Sequence, residues 1–134
     1  MSREWQVTQL PEYVLPNAVY YQSLWAVRDL ERMENRLQDL MYERQSPKGS
    51  MVSESRKKYA GRFSKVENRA METAILQERV DGIHQALILV PIEYRNTILD
   101  NIVLKESVTD QPDKEWRMWK QKFLFMVAHN LSMI

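Results

Sequence analysis

PDKEWRMWKQKFLFMVAHNLSMI, residues 112–134, is the stretch whose reading decides the fold. Within it Trp116, Trp119, Phe123, Met126, Val127, Leu131 and Ile134 recur at three- and four-residue steps. That spacing lines one side of a helix with 3.6 residues per turn. Pro112 suits a first turn, and Asp113 and Glu115 suit the positive end of the helix dipole. Lys114, Arg117, Lys120 and Lys122 fall outside the apolar arc. Lys114, Arg117 and Gln121 share the side opposite Trp119 and Phe123, which the spacing turns outward. The expected object is a helix with an aromatic anchor and a basic outer surface. Its anchor is expected to pack on Tyr94, Ile98 and Ile102 of a preceding helix, residues 92–105, opened by Pro91.

Further outward, residues 64–90 read as a long helix. Ser64 and Glu67 form a capping box, and Val66, Thr73, Leu76, Val80, Ile83, Leu87 and Val90 give a heptad-like seam. Gly82 lies within it, where it weakens the helix and permits a close approach. Residues 18–45 read as its partner, with Asn17 as N-cap and Tyr20, Val27, Leu30, Met33, Leu37 and Met41 as the stripe. Between the two, residues 46–63 are rich in Ser, Gly and Lys/Arg and read as a flexible basic loop carrying Arg56, Lys57, Lys58 and Arg62. Residues 1–16, with Pro11 and Pro16 among Trp5, Val7, Leu10, Tyr13 and Leu15, read as an extended arm that packs on the body. The expected fold is therefore one all-α domain: a long antiparallel hairpin, then two shorter helices in residues 92–134.

The formal net charge of +1 conceals segregation. Residues 51–70 carry six Lys and Arg against two Asp and Glu, residues 71–113 three against eight, and residues 114–134 four against one. Local basic segments are what a phosphate backbone senses. The same segments also suit pairing with the acidic one inside the fold. With no cysteine, disulfides and thiolate metal sites are excluded, and a cytosolic setting is expected. No signal-peptide pattern opens the chain, and no apolar run approaches the ~20 residues that span a bilayer, so no membrane partner is expected. Three glycines form no phosphate loop, and no nucleophile elbow, His-Glu-x-x-His or paired histidine ligands occur. Neither an enzyme nor a cofactor is expected.

Leu89-Val90-Pro91-Ile92-Glu93-Tyr94-Arg95, followed by Ile98 and Ile102, resembles the start of region 4 in sigma-factor-like proteins. Trp116-Arg117-x-Trp119-Lys120-x-Lys122-Phe123, then Val127-Ala128-x-x-Leu131, resembles the second helix of such a unit. From about Val19 onward, the order of the chain is similar to phage late-gene transcription activators of the RinA/ArpU type. Leu37-Gln38-Asp39-Leu40-Met41, the linker Ser46 to Ser55 and the helix start Ser64-Lys65-Val66-Glu67 carry that likeness. Only Glu106 to Asp113 separates the last two helices, so the resemblance implies a degenerate helix-turn-helix. It further implies a transcription regulator in the cytoplasm of a bacterial host, with double-stranded DNA and RNA polymerase as partners; the two long amphipathic helices exceed what one small core needs and are expected to bury the excess in a homodimer. The residues expected at DNA are Lys114, Arg117, Lys120, Gln121 and Lys122, with Arg56, Lys57, Lys58 and Arg62 on the loop. Two other classes fit the same residues: a small terminase-like packaging or structural subunit, and a protein-binding module without DNA binding.

Overall fold

The computed structural model describes residues 5–45, 59–108 and 114–134. Among the described residues the fold is all-α, with no strand. Five described helices follow a 3-10 turn at Pro11–Tyr13: α1 Asn17–Arg28, α2 Leu30–Gln45, α3 Tyr59–Ile88, α4 Ile92–Val103 and α5 Glu115–Asn130. The chain groups into two compact units. One comprises residues up to Leu30 together with Asp81 to Ile134, and the other runs from Glu31 to Val80.

In the first unit α1, α4 and α5 pack on one another, and the 3-10 turn packs on α5. Pro16 precedes α1, and its carbonyl accepts the Tyr20 N–H to close the first turn. Asn17 is thus the first helical residue and not the expected cap. Tyr20, Ser23, Leu24 and Val27 turn inward at helical spacing. Ser23 is wholly buried, and its hydroxyl donates to the Leu124 carbonyl at 2.7 Å, so a small polar residue sits in the core without an unmet hydrogen bond. The helix expected over 18–45 is interrupted at Asp29. There ψ is −2°, and the N–H is shared between the carbonyls of Trp25 and Ala26. An acidic side chain at the negative end of α1 disfavours continuation of the α-helical ladder.

α4 buries Tyr94, Ile98 and Ile102, each four residues from the last. Pro91 starts it, and Arg95 reaches back to cap α3, donating to the carbonyls of Val90 at 2.8 Å and Ile88 at 2.9 Å. A guanidinium there satisfies orphan carbonyls and meets the negative end of the α3 dipole. Arg28 does the same for α4, donating to Ile102 O at 2.8 Å while lying over the Trp25 ring. α5 ends in a Schellman motif: Met133 N–H bonds Ala128 O, Ser132 N–H bonds His129 O, and Ser132 takes φ 60°.

The second unit comprises α2 and the portion of α3 up to Val80. Its buried apolar residues are Met33, Leu37, Leu40, Leu76 and Val80. The inward step after Leu37 falls on Leu40, and Met41, expected in the stripe, is half exposed. Val66, expected in the seam, is exposed as well. α3 begins at Tyr59, so Ser64 lies inside the helix and the expected capping box does not form its start. Of the loop expected at 46–63, residues 59–63 are helical, and 46–58 lie outside the described residues. Arg36 forks onto Glu72 at 2.9 and 3.0 Å, and Arg69 lies 3.6 Å from Glu43. The two ion pairs join α2 to α3 within this unit.

The fork on Glu72 generates a first prediction. Hydrogen bonding by Arg36, reinforced by its charge, holds the Glu72 carboxyl below the ordinary glutamate value. A depressed folded-state pKa contributes stability above the ordinary carboxylate range, which is lost as pH falls through the lowered value. Side-chain carboxyl NMR should place the Glu72 midpoint below the ordinary glutamate value, and Arg36→Gln should raise it. An unchanged midpoint would show that the fork does not persist in solution.

Gly82 generates a second. A Cβ there would lie 3.0 Å from Leu131 Cδ2 and 3.2 Å from Asn130 Cβ, and Asn130 Nδ2 donates to Gly82 O at 2.9 Å. Alanine would gain ~1 kcal/mol of helix propensity. It would also push the end of α5 off α3, and overpacking of this kind costs ~1–3 kcal/mol. Gly82→Ala should therefore lower stability in urea titrations; a rise of the size set by propensity would show that the contact yields freely.

Candidate nucleic-acid interface

α5 carries most of the residues expected at DNA, and the structure sends them in different directions. Its inward face is Lys120, Gln121, Phe123, Leu124, Val127 and Ala128. That arc is rotated from the expected one, toward Leu124 and Ala128. The reason is that α5 has three neighbours to satisfy, α1, α4 and the 3-10 turn, so its buried face is broad. Phe123 is fully buried as expected, while Trp116 and Trp119 stand half-buried at the edge. A large ring with a polar N–H is well suited to such a boundary position.

Gln121 does not turn outward. It is only 4% exposed and grips the arm in a two-way amide pair. Its Oε1 accepts from Leu10 N–H at 3.0 Å, and its Nε2 donates to Leu10 O at 2.9 Å. Gln6 repeats the device on Leu15, at 2.7 and 2.9 Å. The Tyr13 ring meets Phe125 edge-on at 5.1 Å. Lys120 is likewise inward, its Nζ donating to Asn101 Oδ1 at 2.7 Å, while Asn101 Nδ2 donates to Glu106 O. Lys120 and Gln121, both expected on the outer surface at DNA, are corrected: both polar heads are occupied within the fold.

Lys114 and Arg117 remain exposed, one at the position preceding α5 and the other in its first turn. Among the described residues no side chain caps this helix start. The Arg117 guanidinium lies 5.7 Å from the Trp116 ring. Glu115 beside them accepts a hydrogen bond from the Tyr94 hydroxyl at 3.1 Å, which ties the beginnings of α4 and α5 together. Lys122 is half-buried over two rings, 4.6 Å from Trp119 and 5.8 Å from Tyr13. Arg62 lies on α3, and Arg56, Lys57 and Lys58 lie outside the described residues, as do Pro112 and Asp113. The structure thus leaves Lys114 and Arg117 together at one helix end and removes Lys120 and Gln121 from that surface.

Sequence reasoning overlooked the clamping role of Gln121 and the capping roles of Arg28 and Arg95. The last had a signal, a basic residue four positions after the proline that terminates α3. Gln121 had none, since its partner is backbone 111 residues away. Comparison with protein families, curated proteins and solved structures gives no match for this chain.

Gln121→Ala would leave the N–H and C=O of Leu10 without their part-buried partner, a loss of ~1–3 kcal/mol for each group stranded from water. Chemical denaturation should register a drop of at least ~1 kcal/mol, with the arm amides losing hydrogen-exchange protection before the helices do. Wild-type stability in this variant would show that the clamp is dispensable.

Proposed function

We propose that this chain is a phage-derived, dimeric, DNA-binding transcription regulator that holds duplex DNA by its phosphates and not by base edges. One observation carries the reading: Lys114 and Arg117 are both exposed at a helix start that no side chain caps among the described residues. The positive dipole end of the helix favours anions, and two exposed cations one turn apart add to that field. The excess of Lys and Arg in residues 51–70 supplies a second source of phosphate contacts. With Gln121 committed to Leu10, no amide on α5 near these cations is available for adenine, so contacts position the protein without reading sequence. For the dimer, support comes from the second unit, where Met41, Val66, Met71 and Ile75 remain exposed beside a small core. RNA polymerase enters this reading only through the resemblance to late-gene activators.

A second reading, a protein-binding module without DNA binding, is favoured by the loss of Lys120 and Gln121 from the outer surface and by an apolar groove in the first unit.

Duplex titrations across a range of salt, with a sedimentation mass on the free protein, decide between them. The proposal expects a dimer whose affinity is alike for unrelated duplexes and falls steeply with salt. Lys114→Ala and Arg117→Ala should each lower the log–log slope by ~0.9. Absence of binding at low salt would overturn it in favour of the second reading.

A further inference from the structure

In the first unit a groove of about 220 Å³ opens between the 3-10 turn, the end of α3 and α5. Buried Phe123 and Val90 form its floor, and Tyr13, Leu89, Trp119 and Met126 its walls. Lys122 completes the lining, its ammonium held over the Trp119 and Tyr13 rings. Among the described residues that ammonium has no carboxylate partner and donates no hydrogen bond. Beside the groove Ile88, Leu89 and Ile92 are 66%, 59% and 78% exposed, three large apolar side chains within five residues.

We propose that this groove docks an acidic amphipathic helix of a partner protein, one large apolar side chain filling the groove and a neighbouring Asp or Glu meeting Lys122. Size points to a peptide anchor: drug-sized and cofactor pockets run from about 300 Å³ upward, and this space takes a side chain or two. Leu89 lines the groove, and Ile88 beside it and Ile92 three residues on are exposed as well, further apolar side chains such as an amphipathic helix covers. Charge selects the partner's sign. A cation already over two rings, with no counter-ion among the described residues, gains a carboxylate in a partly desolvated place and penalises a basic partner. The site shares neither Lys114 nor Arg117, so it holds or fails independently of the DNA reading.

The test uses the full chain and a synthetic helical peptide with Leu and Phe as anchors and Glu on the flanks. A matched peptide carries Lys in place of Glu. The Met126 methyl and the Trp119 indole N–H report by NMR. The acidic peptide should shift both saturably and the basic one should not. Lys122→Glu should weaken the acidic peptide by about tenfold or more and admit the basic one. Lys122→Met, which keeps the stem against the rings, should weaken the acidic peptide without admitting the basic one. Leu89→Ser should weaken binding with the α5 amide spectrum unchanged. Equal binding of both peptides, indifference to Lys122→Glu, or no shift at millimolar peptide would overturn the proposal. So would the same two resonances moving with protein concentration alone, which would make a second copy the occupant, or moving on addition of duplex DNA.

Discussion

α5 has to be covered on three sides, and the first unit is organised by that requirement. A single helix here presents six inward residues, two of them long and polar, to α1, α4 and the arm at once. Fully burying a large apolar side chain such as Phe123 or Leu124 is worth ~1.5–3 kcal/mol, but only when all its neighbours are in place. The hydrogen bonds around α5 show how they are held. Ser23 fixes α1 through the Leu124 carbonyl, Tyr94 and Asn101 fix α4 through Glu115 and Lys120, and Gln121 fixes the arm through Leu10. Each neighbour is held by apolar burial and by at least one polar contact that sets its register.

The polar chemistry of α5 is divided accordingly. Lys120 and Gln121 satisfy groups that the fold itself hides from water, where an unmet donor or acceptor would be costly. Lys114 and Arg117 are left at the open helix end, and Lys122 over an aromatic ledge. The first pair suits a diffuse anionic partner such as a phosphate backbone. The ledge sits beside an apolar groove and suits a shaped partner with one carboxylate. On the two proposals above, the surfaces take different ligands, a phosphate backbone on one and a protein helix on the other.

Much of this was legible in the sequence. The all-α class, the helix begun by Pro91, the aromatic helix at the end and a close approach at Gly82 all follow from spacing and from residue chemistry. Helix edges were less so. The capping-box pattern at Ser64 was overridden because α3 starts at Tyr59, and Asp29 splits what periodicity reads as one helix. The orientation of α5 was the consequential difference. Aromatic residues carry the greatest apolar weight and drew the predicted arc toward Trp116 and Trp119, whereas the packed face centres nearer Leu124. No local pattern reveals that shift, because it depends on where α1 and the arm come to lie. For the same reason Lys120 and Gln121 read as surface residues, their partners being set by tertiary contacts.

The central claim is that α5 is the hub on which the first unit is assembled, its inner face closed to solvent by α1, α4 and the arm. Residue-resolved native-state hydrogen exchange tests it most directly. The amides of Phe123, Leu124, Val127 and Ala128 should exchange only by global opening of that unit, as slowly as any in it, with those of α1 and α4 at or above the same rate. Exchange of these four amides by a local opening, while α1 and α4 stay protected, would contradict the account.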